Sequence, residues 1–403
     1  MLKLKFKILL SNLYSKILFI FINLIFLTIN NKCYFYKKFL FKKDNFLDSI
    51  IASSINNKTF YKIKGINYLN KCKRSLLTNR KKSFPNSNSP KISIIIPIYN
   101  CNNTIQLSIS SIQNQNFLCL EIILVNDFSS DNSLQIIKKM QKKDKRIKIL
   151  NNKRNMGTLY SRCLGVLKSK GKYIFALDND DLFLTENLLE NIYNKAELIN
   201  FDIIEFKSFS ILSYNPNISN IYESYFNHHP NNLILHQPEL GIFPISRNNK
   251  LASNDHWIWA KCIRSKIYKK SINLLGKKRY SIYNCWTEDI SIIFIIFNLA
   301  QSYIFLNIYG IFHIMSRTTA SVKLNKYHKL FSDIFLLDII IDFSKNNNEN
   351  KKYAVYKALS IKKKNISILN LDNQLYLKKI LKKLMNCKYI KKNDAILLKK
   401  EFF

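Results

Sequence analysis

YIFALDNDD, Tyr173 to Asp181, runs five apolar residues directly into three carboxylates spread over four positions. A short apolar run of this kind suits a strand buried on both faces, so the acids emerge where a strand leaves a sheet. In open α/β sheets, ligands gather beyond the carboxyl ends of the strands. Oxygen-only ligands suit Mg²⁺ or Mn²⁺, and Mg²⁺ is held by one or two carboxylates plus substrate phosphates rather than by a full protein cage. Asp178, Asp180 and Asp181 therefore suit a divalent metal and a diphosphate. The alternative is a strand-to-loop turn carrying solvated acids.

Upstream of this stretch, strand and helix signals alternate. ISIIIPIYN, Ile92 to Asn100, is a nearly continuous run of β-branched residues, followed by Thr104 as a helix cap with Ile105, Ile109 and Ile112 on one side. EIILVND, Glu121 to Asp127, predicts a second buried strand, after which Ser130 and Asp131 open a helix containing Ile136 and Ile137. RIKIL, Arg146 to Leu150, predicts a third strand, and Thr158 to Lys168 a helix that ends near Gly171. This alternation argues for a parallel, doubly wound sheet. Downstream, a strand is expected at Asp202 to Phe206, loops over Asn215 to Arg247, a strand or turn leading to a helix in WIWAKCIRSKIY (Trp257 to Tyr268), and an apolar helix from Glu288 to Leu299. From about Lys323 the tail reads helical, and its Lys-rich end carries the stripe Leu377, Ile380, Leu381 and Leu384, expected to dock on the domain.

With 403 residues, 47% of them hydrophobic, the chain can bury a substantial core. Its net charge of +38 resembles a nucleic-acid signature. However, Lys, Asn and Ile are abundant throughout and no nucleic-acid-binding module accompanies the charge, so no specific nucleic-acid partner is expected. The eight cysteines include no CxxC pair and no zinc-like spacing. Near the N-terminus, ILFIFINLIFLTI, Ile17 to Ile29, follows several lysines. At about 1.5 Å per residue it reaches roughly 20 Å of the roughly 30 Å hydrocarbon core, so a span must borrow the upstream turn from Leu9. The absence of an A-x-A-like site after it favours an uncleaved single-pass anchor over a cleaved signal. Residues 31–90 are polar and irregular and end in SFPNSNSP, which reads as a stem or linker.

The order of motifs between Lys91 and Val322 resembles the family 2 glycosyltransferases, nucleotide-sugar-dependent enzymes with the GT-A fold. SIIIPIYN is similar to their first strand and donor-side loop, and EIILVNDFSSDNS to the strand ending in V-[DN]-D-G-S-T-D-N-S. RNMGTLYSRC with YIFALDNDD resembles their N-x-G, Ala-Arg-Asn and D-x-D segments, and CWTEDISIIF their E-D motif before a helix. The resemblance implies an α/β fold with a Rossmann-like, doubly wound, mostly parallel sheet. Its nucleotide-sugar half would span residues 91–200 and its acceptor half 201–322, with an anchor at 1–30 and a basic helical tail at 323–403. It also implies that Pro97, Tyr99, Asn100, Asp127, Gly157, Arg162 and Asp178 line the donor site. In this assignment Asp127 accepts from the nucleobase and Arg162 approaches the diphosphate, although an exposed helical Arg and a helix-capping Asp remain open. Asp180 is implied as the direct metal ligand, with Asp178 beside it and Asp181 in support.

A sugar nucleotide's diphosphate gains charge as it leaves, which a carboxylate-held Mn²⁺ or Mg²⁺ can neutralise. The acceptor hydroxyl, for its part, needs a base. Glu288 and Asp289 follow Thr287, a plausible N-cap, and the resemblance makes one of them that base, with Asp289 preferred. Trp257, Trp259 and Lys261 resemble a W-x-K acceptor segment, although tryptophans are as much at home in cores. Two departures stand out: Phe128 occupies the position of the common loop glycine, and His313 lies in FHIMSRTTAS, where Met315 holds the place of a later His or Arg and Arg317 is the nearest substitute. The expected activity is inverting transfer of one sugar, from a nucleotide donor to a glycan or glycolipid hydroxyl, by a membrane-associated enzyme. A polyprenyl-phosphate sugar synthase and a catalytically degenerate binding domain are the alternatives.

Overall fold

The computed structural model describes residues 57–77, 89–211, 221–223, 234–236, 257–282, 287–314, 326–343 and 369–385, with isolated positions between 354 and 399. The chain divides into two units, Met1–Lys64 and Gly65–Phe403. The expected anchor at Ile17–Ile29, together with Met315 and Arg317, lies outside the described residues. Among those described, no helix is long and apolar enough to cross a membrane.

Within the second unit, β1 (Ile92–Ile98), β2 (Leu120–Asn126), β3 (Ile147–Asn151) and β4 (Tyr173–Ala176) form a parallel block in the order β3-β2-β1-β4. Alternation along the strands explains why their apolar runs are continuous. Ile92, Ile94, Ile96 and Ile98 of β1 pack into one core layer with Ile122 and Leu124 of β2, while Ile95, Ile123 and Val125 pack into the layer on the other face. Each fully buried Ile or Leu contributes about 1.5–3 kcal/mol, so both faces are held strongly. Pro97 is tolerated because β4 leaves the ladder after Ala176, where Leu177 donates to Ile95 O at 3.1 Å.

Beyond β4 the sheet becomes mixed, which corrects the expectation of a mostly parallel one. β9 (Lys261–Arg264) inserts antiparallel between β4 and β6 (Ile203–Ile211), and β6 pairs in parallel with the long β10 (Ser302–Ile314). β5 (Leu182–Phe183) and β8 (Ile234–His236) pair antiparallel with β10, and β7 (Ile221–Glu223) with β6. In this half the partners are set by long-range packing rather than by local βαβ crossovers.

The segment expected to be a linker contains α1 (Asn57–Leu77). In the second unit its residues from Gly65 onward join the core: Tyr68 Oη donates to Ser111 O at 2.6 Å, and Asn114 donates to Ser75 Oγ at 3.1 Å. The apolar helix appears where expected, at Glu288–Leu299 (α8), with Ser291 to Phe297 buried. Thr287 does not cap it, because its hydroxyl donates instead to Ser332 O, 2.8 Å away in α9 (Lys326–Phe343). The tail helix α10 (Leu371–Met385) buries the four stripe residues. Lys383, paired with Asp338 and Asp342, and Tyr376, bonded to Asp338, bind it to α9, and Arg279 of the short helix Lys277–Tyr280 pairs with the same two acids.

Candidate active site

The parallel block delivers its strand ends to one edge, and the acidic turn after β4 is fastened there. Asn179 Nδ2 donates to Pro97 O at 3.0 Å, and Asp181 N to Asp178 O at 3.1 Å. The three acids then separate in role. Asp181 is fully buried, accepting from Ile314 N at 3.0 Å and from His313 Nδ1 at 3.1 and 3.2 Å. Burial opposes protonation of His313, but Asp181, aided by Asp178 and Asp180, outweighs it and pushes the imidazole up to about 9. Asp181 therefore serves to fasten β10 to the turn. Asp180 is pushed up to about 8 by burial and by Asp181 and Asp178, a concentration of negative charge that a cation would relieve. Among the described residues no set of three or more His, Cys, Asp or Glu side chains is arranged to hold a metal, and of the three acids Asp181 is the one engaged by His313 and Ile314. Two carboxylates still match the way Mg²⁺ is held when substrate phosphates complete its shell.

Burial of Arg162 contradicts the exposed-helix alternative. Only 2% exposed, the residue follows Leu159 and precedes Val166 on the buried stripe of α4 (Thr158–Lys168), so it does not point to solvent. Nη2 donates to Asp178 Oδ1 at 3.1 Å and Nη1 to Asp289 Oδ1 at 2.5 Å. One guanidinium thus links the acidic turn of β4 to the first turn of α8. The L-x-x-R-x-x-x-V spacing in the sequence is the signal that could have placed it inward.

At α8, Asp289 Oδ2 also accepts from Ile258 N at 3.3 Å, whereas Glu288 Oε2 is buried without a hydrogen-bond partner among the described residues. Burial raises Asp289, opposed by Arg162, and burial with Asp289 pushes Glu288 up to about 8. Asp289 is the carboxylate that the Arg162 guanidinium and Ile258 N–H orient, whereas burial and the neighbouring Asp289 favour the protonated form of Glu288.

Asp127 is only 3% exposed, and its carboxylate is held by three hydrogen bonds. Oδ1 accepts from Asn152 Nδ2 at 2.7 Å and Met156 N at 2.8 Å, and Oδ2 accepts from Gly157 N at 2.8 Å. The carboxylate builds the N-x-G loop. Gly157, at φ +87° and ψ 165°, takes a conformation open to glycine alone as it leads into α4. Pro97 is buried within β1, Tyr99 and Asn100 are exposed at its end, and Asn100 Oδ1 accepts from Ser130 N at 2.9 Å.

The acceptor assignments are also corrected in part. Lys261 is buried, with Nζ 3.0 Å from Glu205 Oε2 and donating to Trp257 O at 2.7 Å, while Tyr303 Oη donates to the same Glu205 oxygen at 3.1 Å. Trp259 is buried and stacks on His313, with centroids 4.9 Å apart and planes 9° apart. Trp257 alone of the three is partly exposed. Lys261 and Trp259 therefore form the floor of the site. Lys261→Met leaves Glu205 as an uncompensated buried charge and is expected to cost about 3 to 5 kcal/mol in urea unfolding. The double variant with Glu205→Leu should recover much of that loss.

Residues 93–252 match the family Glycosyl transferase family 2. It is 40% identical over 107 residues to an uncharacterized glycosyltransferase of Haemophilus influenzae, a match covering 27% of this chain and 42% of the relative. It is 37% identical over 108 residues to GalNAc(5)-diNAcBac-PP-undecaprenol beta-1,3-glucosyltransferase of Campylobacter jejuni, covering 27% and 35% of the two chains. The chain thus spans less than half the length of these relatives. The structure of S. aureus TarS 1-349 in complex with UDP-GlcNAc superposes with a TM-score of 0.55 at 15% identity, over 77% of this chain and 88% of that one. At that identity the likeness shows the fold.

Proposed function

We propose that the chain is an inverting glycosyltransferase that moves one sugar from a UDP-linked donor to a hydroxyl of a glycan or glycolipid. The observation that carries this is the Arg162 bridge between Asp178 and Asp289, which brings a donor-side acid and a base into one site. UDP-GlcNAc bound to TarS, and the Campylobacter relative's being a glucosyltransferase by name, support the substrate class. Asp289 takes the acceptor's proton as the hydroxyl oxygen bonds to the anomeric carbon. The carbon–phosphate-oxygen bond breaks on the opposite side, and the diphosphate leaves with the bonding pair. A carboxylate raised by burial is a stronger base than a solvated one. Arg162 and Ile258 N–H fix its orientation. Mg²⁺ or Mn²⁺ held by Asp180 and Asp178 would neutralise charge on the diphosphate. Membrane association through Ile17–Ile29 belongs to the same proposal and is supported by the apolarity of that segment.

Calorimetric titration with a panel of UDP-sugars, with and without Mn²⁺, tests the donor site. Wild type is expected to bind at least one donor in a Mn²⁺-dependent way, and Asp180→Asn to lose that dependence with about a tenfold or greater drop in affinity. Absence of binding by folded wild type would contradict the proposal.

A further inference from the structure

Asp289 is held from two directions. Arg162 takes Oδ1, and Oδ2 accepts from Ile258 N at 3.3 Å, at the long end of the range for such a bond. The opposite end of that same peptide unit is Trp257 O, which accepts from Lys261 Nζ at 2.7 Å. An ammonium on the carbonyl oxygen polarises the amide and strengthens donation by its N–H, because linked hydrogen bonds in a buried setting reinforce one another. Lys261 is paired at 3.0 Å with Glu205, directly opposite it across the β6–β9 ladder, and both side chains are 1% exposed. A buried ion pair gives a fold little that well-packed apolar residues would not, so stability alone does not account for it. The turn that carries Lys261 back onto Trp257 O is strained as well. Ala260 stands at φ +58°, uncommon for a residue with a Cβ, and Phe206 N ties it to β6 by donating to Ala260 O at 3.1 Å. Ion pair and strained turn thus converge on one peptide, whose N–H faces Asp289. Burial raises the Asp289 carboxyl, and Arg162, then Ile258 N–H and Lys261, oppose that rise.

We infer that Lys261 is a positioning residue for the transfer, holding and polarising the Trp257–Ile258 peptide whose N–H orients Asp289, with Glu205 fixing the ammonium. The inference rests on the reading of Asp289 as the base. Fully buried, Lys261 acts through this peptide without touching the acceptor.

The test is steady-state hydrolysis of UDP-sugars with Mn²⁺ by the full chain, alongside UDP affinity by calorimetry and urea unfolding. The variants are Glu205→Gln, which leaves the ammonium on Trp257 O, and Lys261→Met combined with Glu205→Gln or with Glu205→Leu, which remove it without stranding a buried charge. Both double variants should bind UDP within about threefold of Glu205→Gln, yet hydrolyse the donor with kcat lower by about 10- to 100-fold, as a misplaced base would. A folded double variant whose kcat matches that of Glu205→Gln overturns the inference and leaves the transferase reading intact. Equal losses of UDP affinity and kcat overturn it too, by showing general support of the site. Wild type that hydrolyses no UDP-sugar overturns the proposed function together with this inference.

Discussion

Asp289→Asn is expected to lower kcat for sugar transfer by about 10²- to 10⁴-fold, with donor affinity changed by less than about threefold. The amide is isosteric and its one oxygen can still accept from Ile258 N–H or from Arg162, one of the two bonds Asp289 makes, but it cannot take the acceptor's proton. Glu288→Gln should cost far less, because Glu288 is buried with Oε2 lacking a hydrogen-bond partner among the described residues and lacks the Arg162 and Ile258 contacts that orient Asp289. Steady-state kinetics on the two variants separate the roles of these adjacent acids. They also separate the proposal from a polyprenyl-phosphate sugar synthase, whose phosphate acceptor needs no base and which would tolerate both substitutions.

Arg162→Leu is expected to be damaging in two ways. It leaves Asp178 and Asp289 without the cation they share, and breaking a buried ion pair costs about 3 to 5 kcal/mol. For a chain of this size that corresponds to a fall in melting temperature on the order of 10 °C by calorimetry. Arg162→Lys should recover part of the stability but little of the activity, since one ammonium cannot reproduce the two-pronged bridge. Full activity in Arg162→Lys would show that charge alone, without the fork, suffices.

The parallel block was legible in the sequence because its strands are short, largely apolar runs, three of which precede a helix. Thr158–Lys168 and Glu288–Leu299 appear at the expected bounds. The mixed half was not legible. β9 joins its neighbours antiparallel through contacts that no local pattern encodes, and β10 reads as interrupted at Gly310. There the glycine is needed because a Cβ would collide with the Phe206 ring. At the site, residue types were easier to read than directions. The acids at 178, 180 and 289 stood out by composition and order. That Asp127 turns inward to a backbone loop, that Lys261 pairs with Glu205 fifty-six positions earlier, and that His313 holds Asp181 are facts of three-dimensional packing. Arg162 lies between these cases, because its place on an apolar helical stripe carried the signal, but its charge argued for the surface.

The most direct measurement is proton NMR of a UDP-sugar whose sugar is α-linked, incubated with the full chain and Mn²⁺, with water as acceptor and the anomeric signals followed from the first minutes. Consumption of the donor with the free sugar appearing first as its β anomer is the predicted result. Release of the α anomer would contradict the single-base, direct-attack mechanism, and no consumption of any UDP-sugar by folded protein would contradict the transferase assignment itself.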